Sequence, residues 1–315
     1  MAVASLPVVR AAALADAAEQ PRWLVKDIWA AAGVGVIGGH PKSFKTWLGL
    51  EIAVSVASGT LCLGRFHVPV SGPVLAFLAE DAPHAVKDRL VALCFHHGIE
   101  IECLDLHVII AHSLKLDRAS DVESLDATIE SLRPRLVLLD PLVRLHSGDE
   151  NSSQTIASLL DSLRSLQRKH DCAVILVHHA RKNGSVSRHG QALRGSSDIW
   201  AFGDSNIFIT QKGSGLLLTV EHRSAAPPDP MVIALVSDPP HLVVSSADGA
   251  DIPTSQLDDR IIDELSRSGD PVSRTELRRR LGVNNKRLGQ AIDDLERNST
   301  ITRTPEGLTL FRLYP

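Results

Sequence analysis

Between two apolar stretches the chain reads Gly39-His-Pro-Lys-Ser-Phe-Lys45-Thr46. This meets every defining position of the phosphate-loop pattern G-x-x-x-x-G-K-[ST] except one, because Phe44 stands where glycine is usual. A loop set between a buried strand and a helix points successive backbone N–H groups at a phosphate, and the helix N-terminus adds favourable dipole charge. Lys45 then reaches the β- and γ-phosphates of ATP, and Thr46 holds Mg²⁺ through its hydroxyl. Gly39, Lys42, Ser43, Phe44, Lys45, Thr46 and Trp47 are the expected nucleotide-binding set. Glycine at position 44 would allow unusual dihedrals, so Phe44 is expected either to take an ordinary conformation or to turn its ring out of the loop. A chance strand-turn-helix bearing a lysine gives a similar string, so the motif needs a second element.

That element is Arg135-Leu-Val-Leu-Leu-Asp140, an apolar strand ending in an acid, as an aspartate that positions Mg²⁺ requires. Pro141 follows it rather than Glu, so the carboxylate that activates water must come from elsewhere. Glu80, which ends the apolar run Pro73–Ala79, is the candidate base; it is expected beside the phosphate loop at the C-terminal edge of the sheet. Glu80-Asp81 also reads as a solvated N-cap of the next helix, and Asp81 is expected to cap in either case. The run Ala173–Val177 ends in His178-His179 at the same edge. His178 is placed as a γ-phosphate sensor, although paired histidines are often structural. The stretch 181–194 (RKNGSVSRHGQALR) is polar and basic. Arg181, Lys182, Arg188 and Arg194 on such a loop can follow a nucleic-acid backbone by charge, or lie on a solvated loop with no partner.

These residues need a scaffold. Gly33–Gly38, Pro73–Ala79, Arg135–Leu139 and Ala173–Val177 are apolar on both faces, as buried parallel strands are. Between them Thr46–Ser58, His84–His97, Asp121–Leu132 and Ser152–His170 carry apolar residues at three- and four-residue intervals, the spacing of helices packed on a sheet. The alternation predicts an α/β, doubly wound parallel sheet with right-handed crossovers. Alternating strands at Ser205–Gln211, Gly215–His222 and Met231–Val236 extend it as C-terminal β-hairpins.

The expected organisation is an N-terminal helical segment at 1–22, an ATPase domain at 23–244, a linker at 245–256 and a small domain at 257–315. The last has helices at Asp258–Ser268, Ser273–Leu281 and Asn284–Asn298, then a hairpin about Pro305-Glu306-Gly307, the order of a winged helix-turn-helix. Ser273-Arg-Thr-Glu276 is a capping box. Its third helix presents Lys286 and Arg287 toward a DNA groove, with Arg303 on the wing contacting phosphate; Asp293, Asp294 and Glu296 dilute that charge.

The 315 residues are 44% hydrophobic with a net charge of −4, which excludes coating nucleic acid by bulk charge but not local basic surfaces. Cys62, Cys94, Cys103 and Cys172 lie far apart, without zinc-ligand spacing, and read as buried free thiols of a reducing compartment. No run approaches the ~20 apolar residues of a membrane span, and Arg10 and Asp16 interrupt the Ala-rich start, so a cytoplasmic protein without membrane contact is expected.

Taken in order, Pro41-Lys-Ser-Phe-Lys-Thr-Trp47, Ala79-Glu-Asp81, Leu138-Leu-Asp140, Val177-His-His179 and Arg194-Gly-Ser-Ser197 resemble the RecA-fold ATPases of the RepA-like hexameric replicative helicase family and its AAA-type relatives. The resemblance spans roughly Trp23 to Val236. It implies a RecA-like sheet, ATP and Mg²⁺ as cofactors, Glu80 as base, Thr46 and Asp140 at the metal, and a homo-hexameric ring acting on DNA. His178, His179 and Arg194 then couple nucleotide state to the channel, and Arg89 and Arg144 fall where the family carries arginine. Arg223, in Val220-Glu-His-Arg223, is the candidate for the basic finger that reaches a neighbouring subunit. Phe44 and the C-terminal winged helix depart from that pattern. The alternatives are an ATP-gated DNA-binding regulator or replication accessory protein that unwinds nothing, and a scaffold with a degenerate loop.

Overall fold

Runs of Val, Ile and Leu without a polar face can be satisfied only between two apolar layers, and the four such runs form neighbouring strands. A computed structural model describes residues 8–13, 23–149, 152–179, 197–212, 215–246, 254–268, 270–281, 285–298, 300–304 and 307–311. A hairpin of β1 (Trp23–Val25) and β2 (Trp29–Ala30) precedes β3 (Val34–Gly39), α1 (Lys45–Ser58), β4 (Val74–Leu78), α2 (Pro83–His97), β5 (Leu106–Val108) and α3 (Ala119–Leu132). Next come β6 (Leu136–Asp140), α4 (Ser153–His170), β7 (Ala173–His179) and α5 (Ser197–Phe202). β8 (Ser205–Lys212), β9 (Gly215–His222), β10 (Met231–Ser237) and β11 (Pro240–Ser246) complete the larger unit.

Among the described residues the central sheet has nine strands in the order β11-β10-β9-β8-β3-β7-β6-β4-β5. From β8 to β5 neighbours run parallel, while β8 to β11 are antiparallel hairpins. Gly35 permits the close approach of β3 and β8, since a Cβ there would overlap the Ser205 carbonyl. One face of the sheet packs on α1 and α2 around Ile37, Leu138 and Ile175, the other on α3, α4 and α5 around Val36, Leu139 and Leu176, so each strand feeds both layers by simple alternation. The first layer carries a buried polar link: Glu51 of α1 accepts from the Leu63 amide at 2.6 Å and meets His97 Nε2 of α2 at 3.1 Å.

The two edges of this sheet differ. β5 is only three residues long. β11 packs against α1 and α2, where His241 stacks on His96 with ring centroids 3.7 Å apart. The strands read from the sequence lie where expected, but β1, β2, β5 and β11 carry too short or too mixed a pattern to have been read. Cys62, Cys94 and Cys172 are buried free thiols, whereas Cys103 is exposed, a correction to the expectation for all four.

α6 (Thr254–Ser268), α7 (Arg274–Leu281), α8 (Asn285–Arg297), β12 (Ile301–Thr304) and β13 (Gly307–Leu310) enclose their own cluster of Ile261, Leu277, Leu288, Ile292 and Leu308. Ser273 caps α7, its hydroxyl accepting from the Glu276 amide at 3.2 Å. Because β11 reaches Ser246 and α6 starts at Thr254, the expected linker at 245–256 is too wide at both ends. Of the expected N-terminal helix, the described part is a 3₁₀ turn at Ala11–Ala13; the rest of 1–22 other than 8–13 lies outside the described residues. No helix among the described residues is long and apolar enough to cross a membrane.

Candidate functional site

A parallel sheet collects its strand C-termini at one edge, and β3, β4, β6 and β7 deliver Gly39, Glu80, Asp140 and His179 there. Glu80, Asp140 and His179 line a cavity of about 220 Å³ with Lys42, Ser43, Phe44, Lys45, Thr46, Trp47, Asp81, Arg89 and Val177. β7 and β6 stand between β3 and β4, yet Glu80 shares the cavity with the phosphate loop, as expected. It lines the cavity because α1 starts above those intervening strands and carries the loop toward β4.

The loop backbone has alternating hand. Lys42 (φ 63°) and Phe44 (φ 62°, ψ 23°) both adopt the left-handed conformation, which in alternation with ordinary residues turns successive N–H groups to one side, as in anion-binding nests. Phe44 therefore keeps the backbone conformation a glycine would have, and its ring lines the cavity, packed against the core. Both parts of the expectation for Phe44 are thereby corrected: packing of the ring offsets the roughly 1–2 kcal/mol that the left-handed conformation costs an L-residue. Gly39 is needed for space, because a Cβ there would lie 2.7 Å from both the Ile209 carbonyl oxygen and Ser43 Oγ.

Three groups in the cradle carry polar demand that the protein only partly meets. Ser43 Oγ is buried with no hydrogen-bond partner among the described residues. Lys45 is 5% exposed and donates to the His40 carbonyl at 2.7 Å. Burial lowers its ammonium to about 8, with Asp140 opposing the change. Thr46 Oγ1 donates to Asp140 Oδ2 at 2.6 Å. Burial pushes the Asp140 carboxyl up to about 6; the Thr46 bond and Lys45 pull it down, while Asp81 and Glu80 add to the rise. An orphaned hydroxyl, a desolvated ammonium and a desolvated carboxylate touching a threonine hydroxyl form a donor set that fits a phosphate chain and a hard divalent cation.

Around this cradle two arginines hold the acids. Arg89 of α2 grips Asp81 through both terminal nitrogens at 2.7 and 3.0 Å, and its guanidinium stands 5.8 Å from the Trp47 ring centroid. Asp81 thus binds Arg89 instead of capping α2, whose N-cap is Ala82. Arg144, in the 3₁₀ turn Leu142–Arg144 after β6, donates from Nε to Glu80 Oε1 at 2.9 Å. The Asp81–Arg89 pair, eight residues apart across a helix start, was within reach of sequence reasoning; the Glu80–Arg144 pair was not.

The structure also places two further expected residues. His178 is 1% exposed and lies off the cavity, whereas His179 lines it with Val177, because strand alternation puts residues 177 and 179 on one face. Of the two histidines it is His179, and not the expected His178, that faces the cavity. Arg223 follows β9, which is antiparallel to β8, so it sits at the opposite end of the sheet from the phosphate loop. It donates to the Ala201 and Phe202 carbonyls at the C-terminal end of α5 and faces Asp204. Arg303 donates to both carboxylate oxygens of Glu296 at 3.2 and 3.0 Å. Arg181, Lys182, Arg188 and Arg194 lie outside the described residues, as do the side chains of Lys286 and Arg287 in α8.

The family described as the AAA domain matches residues 3–185. Among solved structures, an isolated ATPase domain of another protein aligns with 68% of this chain and 84% of its own at 15% identity and a TM-score of 0.54, a likeness of fold that identifies the sheet as RecA-like. The KaiC-like protein PH0186 from the hyperthermophilic archaeon Pyrococcus horikoshii OT3 aligns with 70% of this chain and 93% of its own at 13% identity and a TM-score of 0.48.

Proposed function

The chain belongs to the AAA domain family of P-loop ATPases, and from that premise we propose that it hydrolyses ATP to drive movement along nucleic acid, as a helicase or translocase does. The observation that carries the reading is the convergence of Lys45, Thr46, Asp140 and Glu80 on one cavity at the C-terminal edge of the parallel strands. In it the N–H groups of the loop and Lys45 hold the β- and γ-phosphates, Lys45 exchanging its His40 carbonyl for a phosphate oxygen. Thr46 and Asp140 hold Mg²⁺, which when bound neutralises charge on the phosphates. Glu80 orients a water and takes its proton, and His179 reports on the γ-phosphate end. Phosphoryl transfer asks for little beyond such positioning and charge neutralisation. The remaining positive charge is supplied in trans by a neighbouring copy in a ring, taken as a hexamer, and single-stranded DNA is contacted by the basic stretch that holds Arg181, Lys182, Arg188 and Arg194.

Residues 23–244 form the ATPase unit in this reading. Residues 257–315 form a winged helix in which Arg267, Arg280, Arg297 and Arg303 pair with carboxylates, Arg280 with Glu276 and Glu264 and Arg297 with Asp294. DNA contact by this unit rests on Lys286 and Arg287.

The Glu80–Arg144 pair favours a second reading, an ATP-gated DNA-binding regulator with slow turnover. Mg²⁺-dependent hydrolysis is to be measured for wild type and Glu80→Gln, with and without single-stranded and duplex DNA. DNA-stimulated turnover that Glu80→Gln abolishes is the expected result, and strand displacement then marks the motor. Tight ATP binding without turnover gives the regulator, and absence of ATP binding refutes both.

A further inference from the structure

We propose that the protein has a second ligand site, for a mononucleotide, at the end of the sheet away from the phosphate loop. A cavity of about 330 Å³ lies there at the turn between β2 and β3, with Trp23, Gly33, Arg164, Gln167, Arg168 and Asp204 in its lining. Gly33 comes just before β3 and Gly39 ends it, so the six residues of that strand, about 20 Å of extended chain, separate this cavity from the ATP cradle. A ligand held here is therefore additional to the ATP of the site described above, and the inference does not depend on what that ATPase acts on.

Two polar groups of the lining are left without partners. Gln167 of α4 is 9% exposed, and its amide bonds to no described residue, although buried amides are almost always paired. Such an amide offers a donor and an acceptor side by side, the pattern that complements the edge of a nucleobase. Arg168, next on the same helix, is exposed and also bonds to no described residue. The other charges of the lining cancel. Arg164 donates to Asp204 Oδ2 at 2.5 Å and to the Phe202 carbonyl at 2.6 Å, and the same carboxylate accepts from the Val34 amide at 3.1 Å. Among the described lining residues the uncompensated charge is thus the guanidinium of Arg168, which selects an anion and whose planar fork suits a phosphate.

The aromatic wall is held ready. Trp23 meets His222 edge-on, with ring centroids 4.9 Å apart. His222 is fixed in turn at both nitrogens, Nδ1 against Ser205 Oγ at 3.0 Å and Nε2 against the Asp27 carbonyl at 3.1 Å. An indole braced in this way gives a flat base a surface to pack on, with little left to order on binding. A base against Trp23, its polar edge on Gln167 and its phosphate on Arg168 uses both groups that the protein leaves unpaired. The volume is at the small end of ligand pockets, enough for one nucleotide and not for a run of them. Two sources carry this chemistry, a free nucleoside monophosphate and the phosphorylated end of a single strand.

Equilibrium dialysis of radiolabelled AMP against the full chain tests the site, in wild type, Lys45→Ala, Gln167→Leu and Arg168→Ala. Lys45→Ala, which spoils the phosphate loop, should still bind one AMP per chain. Added to Lys45→Ala, Gln167→Leu and Arg168→Ala should each weaken that binding about tenfold or more, with thermal unfolding midpoints near that of the parent. Should Gln167→Leu fail to fold, Arg168→Ala, at an exposed position, carries the comparison. Unlabelled adenosine and inorganic phosphate should each compete less well than AMP, since each meets only part of the site. AMP binding that Lys45→Ala abolishes places the nucleotide in the phosphate loop alone and overturns the proposal, as do an absence of AMP binding in every form and binding that both cavity variants leave intact. Inorganic phosphate that competes as well as AMP overturns the contact with the base, and with it the assignment of a nucleotide. With the site upheld, a 5′-phosphorylated single-stranded oligonucleotide that displaces AMP from Lys45→Ala identifies a strand end as the source, and one that leaves AMP bound identifies the free nucleotide.

Discussion

Replacing Asp140 by asparagine should stabilise the nucleotide-free protein, and only at neutral and higher pH. The carboxyl is buried behind β6 and its affinity for a proton rises from the ordinary 3.8 to about 6. At about 1.4 kcal/mol per pH unit this corresponds to about 3 kcal/mol. The sign follows from proton counting: between about pH 4 and pH 6 the folded state holds a proton that the unfolded chain has released, so wild-type stability falls as pH rises through that window. Asparagine cannot ionise and escapes the loss, and its amide oxygen still accepts from Thr46. Lys45 loses a counter-charge, which trims the gain to about 1–3 kcal/mol. Urea unfolding of wild type and Asp140→Asn without nucleotide, at about pH 4 and about pH 8, measures it. The curves should nearly coincide at the acid end and separate in favour of Asp140→Asn at the alkaline end, while Mg²⁺-dependent hydrolysis is lost. A variant less stable than wild type at about pH 8, or a difference equal at both values, would refute the argument that burial of this charge costs stability.

Gly39→Ala should cost ATP affinity at least tenfold by equilibrium binding of a fluorescent ATP analogue, because its Cβ would meet the Ile209 carbonyl and Ser43 Oγ at 2.7 Å and push the cradle open. Glu51→Ala should lower stability by about 2–4 kcal/mol in urea titration, since it strands the buried Leu63 amide and leaves a cavity between α1 and α2. Unchanged midpoints for Glu51→Ala would show that the link to His97 carries no weight.

Much of the candidate site was legible because its chemistry is local. A phosphate loop is a contiguous string, and Asp140 stands at the end of a strand whose apolar run announces itself. Glu80 was found for the right edge and the right cavity, but the two strands that separate β4 from β3 were not legible, because periodicity gives strand identity and not strand order. The choice between His178 and His179 turned on which face of β7 looks into the cavity, a register of one residue that no composition reveals. Arg223 required the direction of β9, since a hairpin returns the chain to the far end of the sheet. Phe44 shows another limit: its left-handed backbone is imposed by the loop and by packing of the ring, against the preference of its own residue type. The pairing of Glu80 with Arg144 joins residues 64 positions apart and becomes visible only when β4 and β6 lie side by side.

The two margins of the sheet bear on how this chain behaves when crowded. A long, flat, unpaired strand is a template for any other chain in extended form, and proteins that expose one tend to aggregate. Here β5 offers three residues, too short a ladder to seed growth, and β11 is backed by α1 and α2. Self-association by strand addition is therefore disfavoured at the β5 end, and copies of the chain that meet there must recognise one another through side chains on loops and helices. Such contacts can be made and broken during a cycle of turnover, which a continuous hydrogen-bonded ribbon running from one copy into the next would not allow.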